Sequence, residues 1–380
     1  MRKLLQKLFS GFVVKMANKY ASRPNSVRIH QALTALFKSI NQQPGKKGLR
    51  LDFNQNDRFI IFSDQHKGAR NYADDFGFCE HNYLAALTYY NQNNYHLISL
   101  GDSEELWENT LEAVKKHNKK NFELEKCFLQ RNAFTKIFGN HDLYWDNDPL
   151  AGFQLESIYG QKVKVYEGLI LQTIVNNKPL QLFLTHGHQG DMQSDGNWFS
   201  KWFVSNVWAP FQAYLRINPN TPAFNNQLKS KHNKLMYQWA ATQDAVLITG
   251  HTHQPVFNSL THLERLYIKL NEAIKQNDEA AQKKLHDQMF KEKISGAEIP
   301  AFTALRTNYF NSGCCCFNDG DITGLEIADG KIRLIKWEYK TKNQPIRIVL
   351  EETELAGLLF NNLEQSPTCG AEDWKSKVAH

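Results

Sequence analysis

No Asp or Glu occurs before Asp52, although eleven Lys and Arg residues lie in that stretch, from Arg2 and Lys3 to Lys46, Lys47 and Arg50. Charges of one sign cannot neutralise each other. Their segregation points to a surface partner carrying negative charge, either lipid or nucleic acid. Cysteine is scarce and poorly spaced for cross-linking. Of six cysteines, Cys314, Cys315 and Cys316 are adjacent, and no paired C-x-x-C occurs. That excludes a disulfide framework and a paired-cysteine zinc module, and gives the reading of a reduced chain in the cytoplasm. Long apolar runs are also missing. None approaches the roughly 20 residues of a membrane span. The stretch Leu8–Val14 is short, Lys15 follows it, and Ala17–Ala21 gives a weak cleavage pattern, so a signal peptide is not expected. Internal repeats are absent.

At the N-terminus, Leu4, Leu5, Leu8, Phe9, Phe12, Val13 and Met16 recur at helical spacing with lysines off the stripe. Such a helix either docks on the body of the protein or lies on the anionic inner face of a membrane. A second helix is expected after Asn25 or Ser26, with Ile29, Leu33, Leu36, Phe37 and Ile40 inward, ending at Pro44-Gly45. From Asp52 onward, strand and helix patterns alternate. Strands are expected at Arg58–Ser63, Tyr95–Leu100, Ala133–Phe138 and Ala245–Thr249, and helices at Phe78–Tyr90 and Glu104–His117. Val163–Val175 and Leu180–Thr185 read as a hairpin around Asn176-Asn177. Asn308–Ser312, Ile322–Ala328 and Lys331–Tyr339 close the core, the last two joined at Asp329-Gly330. The organisation expected is a basic helical segment over 1–50, a catalytic domain over 51–345 and a tail over 346–380. Helical insertions are expected at about 191–244 and 258–300. The first is rich in aromatics, including Trp198, Trp202, Trp208 and Tyr214.

Five short clusters stand out against this background: Asp64-Gln-His66, Gly101-Asp102, Gly139-Asn140-His141-Asp142, His186-Gly-His188 and Gly250-His251-Thr-His253. Most directly follow strand-like runs, and side chains at strand ends rest on backbone that is already ordered. Asp, Asn and His together offer oxygen and nitrogen donors. Such a mixture suits Mn²⁺, Fe or Zn²⁺ better than Mg²⁺ or Ca²⁺. It has too many members for one tetrahedral zinc. Two divalent ions sharing a carboxylate would use them all, and a water between them would ionise near neutral pH and attack in line.

The five clusters resemble those of the calcineurin-like metallophosphoesterases, over about Arg58 to Tyr339. The resemblance implies an α/β fold, a four-layer α-β-β-α sandwich of two mixed sheets with helical insertions. It implies hydrolysis of a phosphoester substrate with two metal ions, Mn²⁺ first among the candidates. One ion would be held by Asp64, His66 and His253, the other by Asn140, His186 and His251, with Asp102 bridging. His141 would be the histidine that assists the leaving oxygen, and Glu105 the carboxylate that orients it. Asp142 is expected to cap the helix or loop that positions His141. Lys67, Arg70 and His188 are candidates for substrate contact. Gly101–Trp107 and Gly250–Pro255 are also similar to stretches of UDP-2,3-diacylglucosamine pyrophosphohydrolases, which makes a lipid-linked pyrophosphate the alternative substrate. His141 and His188 depart from that sub-family, which has Arg and Asp there. A nuclease reading is weaker, because the aromatics are grouped rather than interleaved with Lys and Arg.

Overall fold

The structure, a computed structural model, describes residues 25–71, 74–190, 226–294, 306–340 and 344–359. The basic stripe over Leu4–Met16, the aromatics from Trp198 to Tyr214 and the chain after 359 lie outside these residues.

In chain order the principal elements are α1 (Ser26–Gln42), β1 (Gly48–Asp52), β2 (Phe59–Phe62), α2 (Glu80–Gln92), β3 (His96–Leu100), α3 (Leu111–His117), α4 (Lys119–Gln130), β4 (Phe134–Ile137) and α5 (Ala151–Tyr159). Then come β5 (Val165–Tyr166), β6 (Gly168–Val175), β7 (Lys178–Thr185), α6 (Asn226–Ala240), β8 (Val246–Thr249), β9 (Val256–Phe257) and β10 (Leu260–Thr261). The chain continues through α7 (His262–Lys275), α8 (Glu279–Ile294), β11 (Tyr309–Asn311), β12 (Ile322–Ala328), β13 (Lys331–Lys340) and β14 (Gln344–Glu354).

These strands form two seven-stranded mixed sheets, ordered β1-β6-β7-β8-β11-β9-β10 and β14-β13-β12-β2-β3-β4-β5. Strict alternation of side chains sorts the apolar residues into layers. In β2, Phe59 and Ile61 face the space between the sheets, while Ile60 and Phe62 face outward under α2. In the other sheet, Leu182, Leu184, Val246 and Ile248 face inward, while Phe183 and Leu247 pack under α1 and α6. Strands buried on both faces read as continuous apolar runs, which is why they were legible. The result is the expected four-layer sandwich.

Three local expectations change. The helix expected from Glu104 begins only at Leu111, behind the Thr110 cap, whose hydroxyl accepts the Ala113 N–H. Residues 104–110 are instead drawn inward, where Glu104 is fully buried and Glu105 is 3% exposed. Val163–Val175 is two strands in different sheets, β5 and β6, parted at Glu167. The chain beyond 345 is not a tail at first. β14 pairs with β13 antiparallel along its length. At the other end, α1 packs against the outer face of β6 and β7, so residues from Ser26 on are built into the body.

The edge strand is pinned by charge. Arg347 makes paired hydrogen bonds to the fully buried Glu326 of β12, which also accepts the Tyr90 hydroxyl from α2. Removing one partner of a buried pair leaves an uncompensated charge. Arg347→Ala is therefore expected to lower unfolding stability by about 3 kcal/mol. Urea denaturation measures this, and a shift within error of zero would show that β14 is held by its backbone ladder alone.

Candidate metal centre

Six strands point their C-terminal ends at one edge of the sandwich. From one sheet, the parallel β2, β3 and β4 deliver Asp64 and His66, Asp102 and Glu105, and Asn140 and His141. From the other, the parallel β7, β8 and β11 deliver His186, His251 and His253, and the loop from Ser312 to Cys316. Backbone hydrogen bonds lace the loops together: Asp64 N–H to Gly101 O, Gly250 N–H to His186 O, and Cys315 N–H to Asp64 O.

All seven residues expected to bind metal converge here. His186 Nε2 lies 3.1 Å from Asp102 Oδ2, and His253 Nε2 lies 3.2 Å from Asp64 Oδ1. His66 Nε2 is 3.9 Å from both Asp64 Oδ1 and Asp102 Oδ2. Among the described residues four groups have their donor atoms within 4.8 Å of one another: Asp64-His66-Asp102 and Asp102-His186-His251, which share Asp102, together with His66-Glu105-His141 and His66-His253-Cys316. Asn140 Oδ1 is buried with no hydrogen-bond partner among the described residues, and His186 Nε2 turns to the Asp102 carboxylate. Orphaned buried acceptors are costly. Beside two buried carboxylates and four histidines, they fit divalent cations.

The electrostatics are those of a centre with fixed negative charge. Burial alone would lower the His186 pKa, but Asp102 and Asp64 raise it to about 9. Burial would raise the Glu105 carboxyl, but His141 and His66 hold it down at about 2. Glu105 Oε2 accepts from both imidazoles, 2.7 Å from His141 Nδ1 and 2.9 Å from His66 Nδ1. The Trp107 indole stacks on the His141 ring with centroids 4.2 Å apart.

Five of the seven expected ligands have left-handed backbone: Asp64, His66, Asp102, His251 and His253, with φ from 50° to 69°. Side chains other than glycine rarely adopt this region, and such residues cluster at functional sites. The glycines of the motifs have a separate reason. A Cβ on Gly139 would lie 2.2 Å from Asp102 Oδ1, and one on Gly101 would lie 2.5 Å from His186 Nδ1. Asp142 caps the loop that carries His141 rather than a helix: its carboxylate accepts the Gly139 and Ser103 N–H groups and ties the two loops together.

The sequence model of the family described as calcineurin-like phosphoesterase matches residues 57–255, just over half of the chain. This chain belongs to the calcineurin-like phosphoesterase family. It is accordingly a metal-dependent hydrolase of phosphoesters, and the acid–histidine groups described above are of the kind that could hold its metal ions. No curated protein matches it. Two solved structures are similar: Vacuolar Protein Sorting 29 from Cryptosporidium parvum and a dimetal phosphatase from Danio rerio. The first has 11% identity, covers 79% of this chain and 100% of its own, and has a TM-score of 0.31. The second has 8% identity, covers 78% and 100%, and has a TM-score of 0.27. Scores this low carry no residue correspondence.

In this phosphoesterase the candidate substrate residues separate. Lys67 does not face the centre. It is fully buried, 2.6 Å from Glu125 and 3.2 Å from Glu104, which in turn holds Lys136 at 2.9 Å. A lysine directly after the first acid–histidine cluster reads as a phosphate contact in sequence, yet the parallel bridge between Lys67 and Glu104 turns it inward. Arg70 is partly exposed, and its guanidinium is paired with Asp74 and Glu80. His188 is buried, its ring 5.4 Å from that of His186. α6, expected only as part of an insertion beside the site, is part of its wall. His232 Nε2 lies 2.8 Å from Gly187 O. Asn233 accepts from Thr252 and Tyr309 and donates to Gln254. The isolated His-Asn pair gives no sequence signal for this.

No helix among the described residues is long and apolar enough to cross a membrane.

Two outcomes follow from these packings. Gly139→Ala pushes against Asp102 and is expected to weaken metal retention roughly 10-fold or more, read by metal analysis after dialysis with circular dichroism unchanged. Lys67→Ala strands Glu125 and is expected to cost about 3 kcal/mol. If instead Lys67→Ala leaves the denaturation midpoint alone and raises only KM, Lys67 meets substrate after all.

Proposed function

We propose that the enzyme hydrolyses phosphomonoester or phosphodiester bonds by in-line attack of an activated water. The observation that carries the reading is Glu105 Oε2 placed within hydrogen-bond distance of both His66 Nδ1 and His141 Nδ1. A single carboxylate thus fixes the tautomer of one imidazole expected to bind metal and of one that is not. Asp64, His66 and His253 would hold one ion and Asn140, His186 and His251 the other, with Asp102 between them. Two bound ions, Mn²⁺ first among the candidates, would supply Lewis acidity toward the phosphoryl oxygens and lower the pKa of the attacking water.

The chain's own groups do the rest. His186 donates Nδ1–H to the Leu100 carbonyl at 2.9 Å, which leaves the Nε2 lone pair for metal. Asp64 accepts the Ser63 hydroxyl and the His251 N–H, so its carboxylate does not rotate. The His141 N–H donates to Asp102 Oδ1 at 2.8 Å, which couples the His141 loop to the bridging carboxylate. With Nδ1–H donated to Glu105, His141 would act as the imidazolium, passing its Nε2 proton to the departing oxygen and remaining as the neutral Nδ1–H ring.

Purified protein assayed with Mn²⁺ on a panel of phosphoesters tests the reading. Asp102→Asn and His141→Ala are each expected to cost about 100-fold or more in kcat. For His141→Ala the loss should be smaller with a nitrophenyl leaving group, which needs no proton, than with an alkyl one. Equal losses on both would remove the acid role. The panel includes a UDP-linked diacylated sugar, whose turnover in preference to soluble esters would replace the substrate class proposed here with a lipid-linked pyrophosphate.

A further inference from the structure

The Cys316 thiol has no part in that scheme, yet it touches it. Cys316 is 7% exposed, on the loop that follows β11, with Sγ 3.5 Å from His253 Nδ1. The opposite nitrogen of the same ring faces the centre, 3.2 Å from Asp64 Oδ1 and 3.2 Å from His66 Nε2. His253 therefore links a thiol to the expected ligands, and the same Sγ also lies within 4.8 Å of a ring nitrogen of His66. The Cys run divides its side chains. Cys315 is buried in the apolar layer under α2, while its N–H ties the loop to the Asp64 carbonyl. Cys314 and Cys316 lie on the imidazole side, where Cys314 interacts with both Cys316 and His253, and Cys316 makes the 3.5 Å contact with Nδ1.

At two other histidines of the centre, Nδ1 meets an oxygen: the Glu105 carboxylate at His66 and the Leu100 carbonyl at His186. A metal-bound imidazole needs such a partner, because the nitrogen that does not bind metal must carry the proton and be held in one orientation. Sulfur is a weak acceptor, but it is large and reaches further than oxygen. We propose that Cys316 is the positioning residue for His253: its Sγ accepts the Nδ1–H and so presents Nε2 to the metal. The proposal rests on the reading of His253 as a ligand. Its consequence is specific. The half-site made by Asp64, His66 and His253 depends on a thiol, and the half-site made by Asn140, His186 and His251 does not.

Mn²⁺ titration of the full-length metal-free protein by equilibrium dialysis tests this. Cys316→Ala is expected to weaken one of the two Mn²⁺ affinities 10- to 100-fold and leave the other unchanged. Cys316→Ser, whose hydroxyl also accepts, should recover part of the loss. Cys315→Ala, placed in the core, should lower the melting temperature without changing either affinity. A Cys316→Ala protein that binds both ions as tightly as wild type overturns the proposal. His253→Ala separates it from its premise: if that variant also keeps both affinities, the ligand reading fails, whereas loss in His253→Ala alone defeats only the role of Cys316. Should Cys316→Ala fold poorly, ¹⁵N shifts of His253 in the Zn²⁺-loaded wild type decide. Protonated Nδ1 with metal on Nε2 is the expected signature, and metal on Nδ1 is the contrary one.

Discussion

The approach of the Asp102 carboxylate to groups from both sheets is the constraint on which the rest of the centre depends. Asp102 leaves β3 in the left-handed conformation, takes the His141 N–H on one oxygen, and meets His186 from the other sheet on the second. These contacts require Gly139 to have no side chain and Gly101 to leave room for an imidazole. A carboxylate so held cannot turn away when its cation is absent. It is thereby fixed between groups delivered by both sheets. Because its partners come from different sheets, the inter-sheet packing sets the spacing of the ligands as well as the stability of the fold.

Holding the site this way has a cost. Left-handed residues other than glycine each store on the order of 1–3 kcal/mol, and five occur among the seven expected ligands. The strain persists because the strands leading into it are buried on both faces. β2, β3 and β8 are apolar along most of their length, and the layer between the sheets runs from Phe59 to Leu334 without an exposed member. Behind the ligands, a second buried set fixes the loops from below. Glu104 holds Lys67, Lys136 and the Trp145 indole, and Glu125 holds Lys67 with the Tyr83 and Tyr159 hydroxyls. Two cations balance two carboxylates there, so the network adds little net charge to the neighbouring centre.

Much of this was legible in the sequence because two signals coincided. Apolar runs marked the strands, and short acid–histidine clusters marked their ends. What was not legible has physical causes. Glu104–His117 satisfies helical propensity, but buried ion pairs and the site override it over its first seven residues, as tertiary context commonly does. Lys67 carries the charge of a phosphate ligand, yet its burial is decided by Glu125, which is distant in sequence. The Cys314–Cys316 run was informative only about disulfides, because nothing in the spacing says that successive members face opposite sides. β14 has a short apolar run, Ile348–Leu350, between Arg347 and Glu351-Glu352 at the edge of a sheet, a weaker pattern than the buried runs.

α6 bears on how the ligand loops are held. Its residues His232 and Asn233 contact the backbone and side chains of the two loops that carry His186, His251 and His253. Trp239, about two turns on, is buried under α1 and donates to Thr34, so the helix is anchored in the core at its C-terminal end. A helix anchored there and hydrogen-bonded to both loops at His232 and Asn233 ties those loops to the body of the fold, so the histidines are held from outside their own sheet as well as from within it.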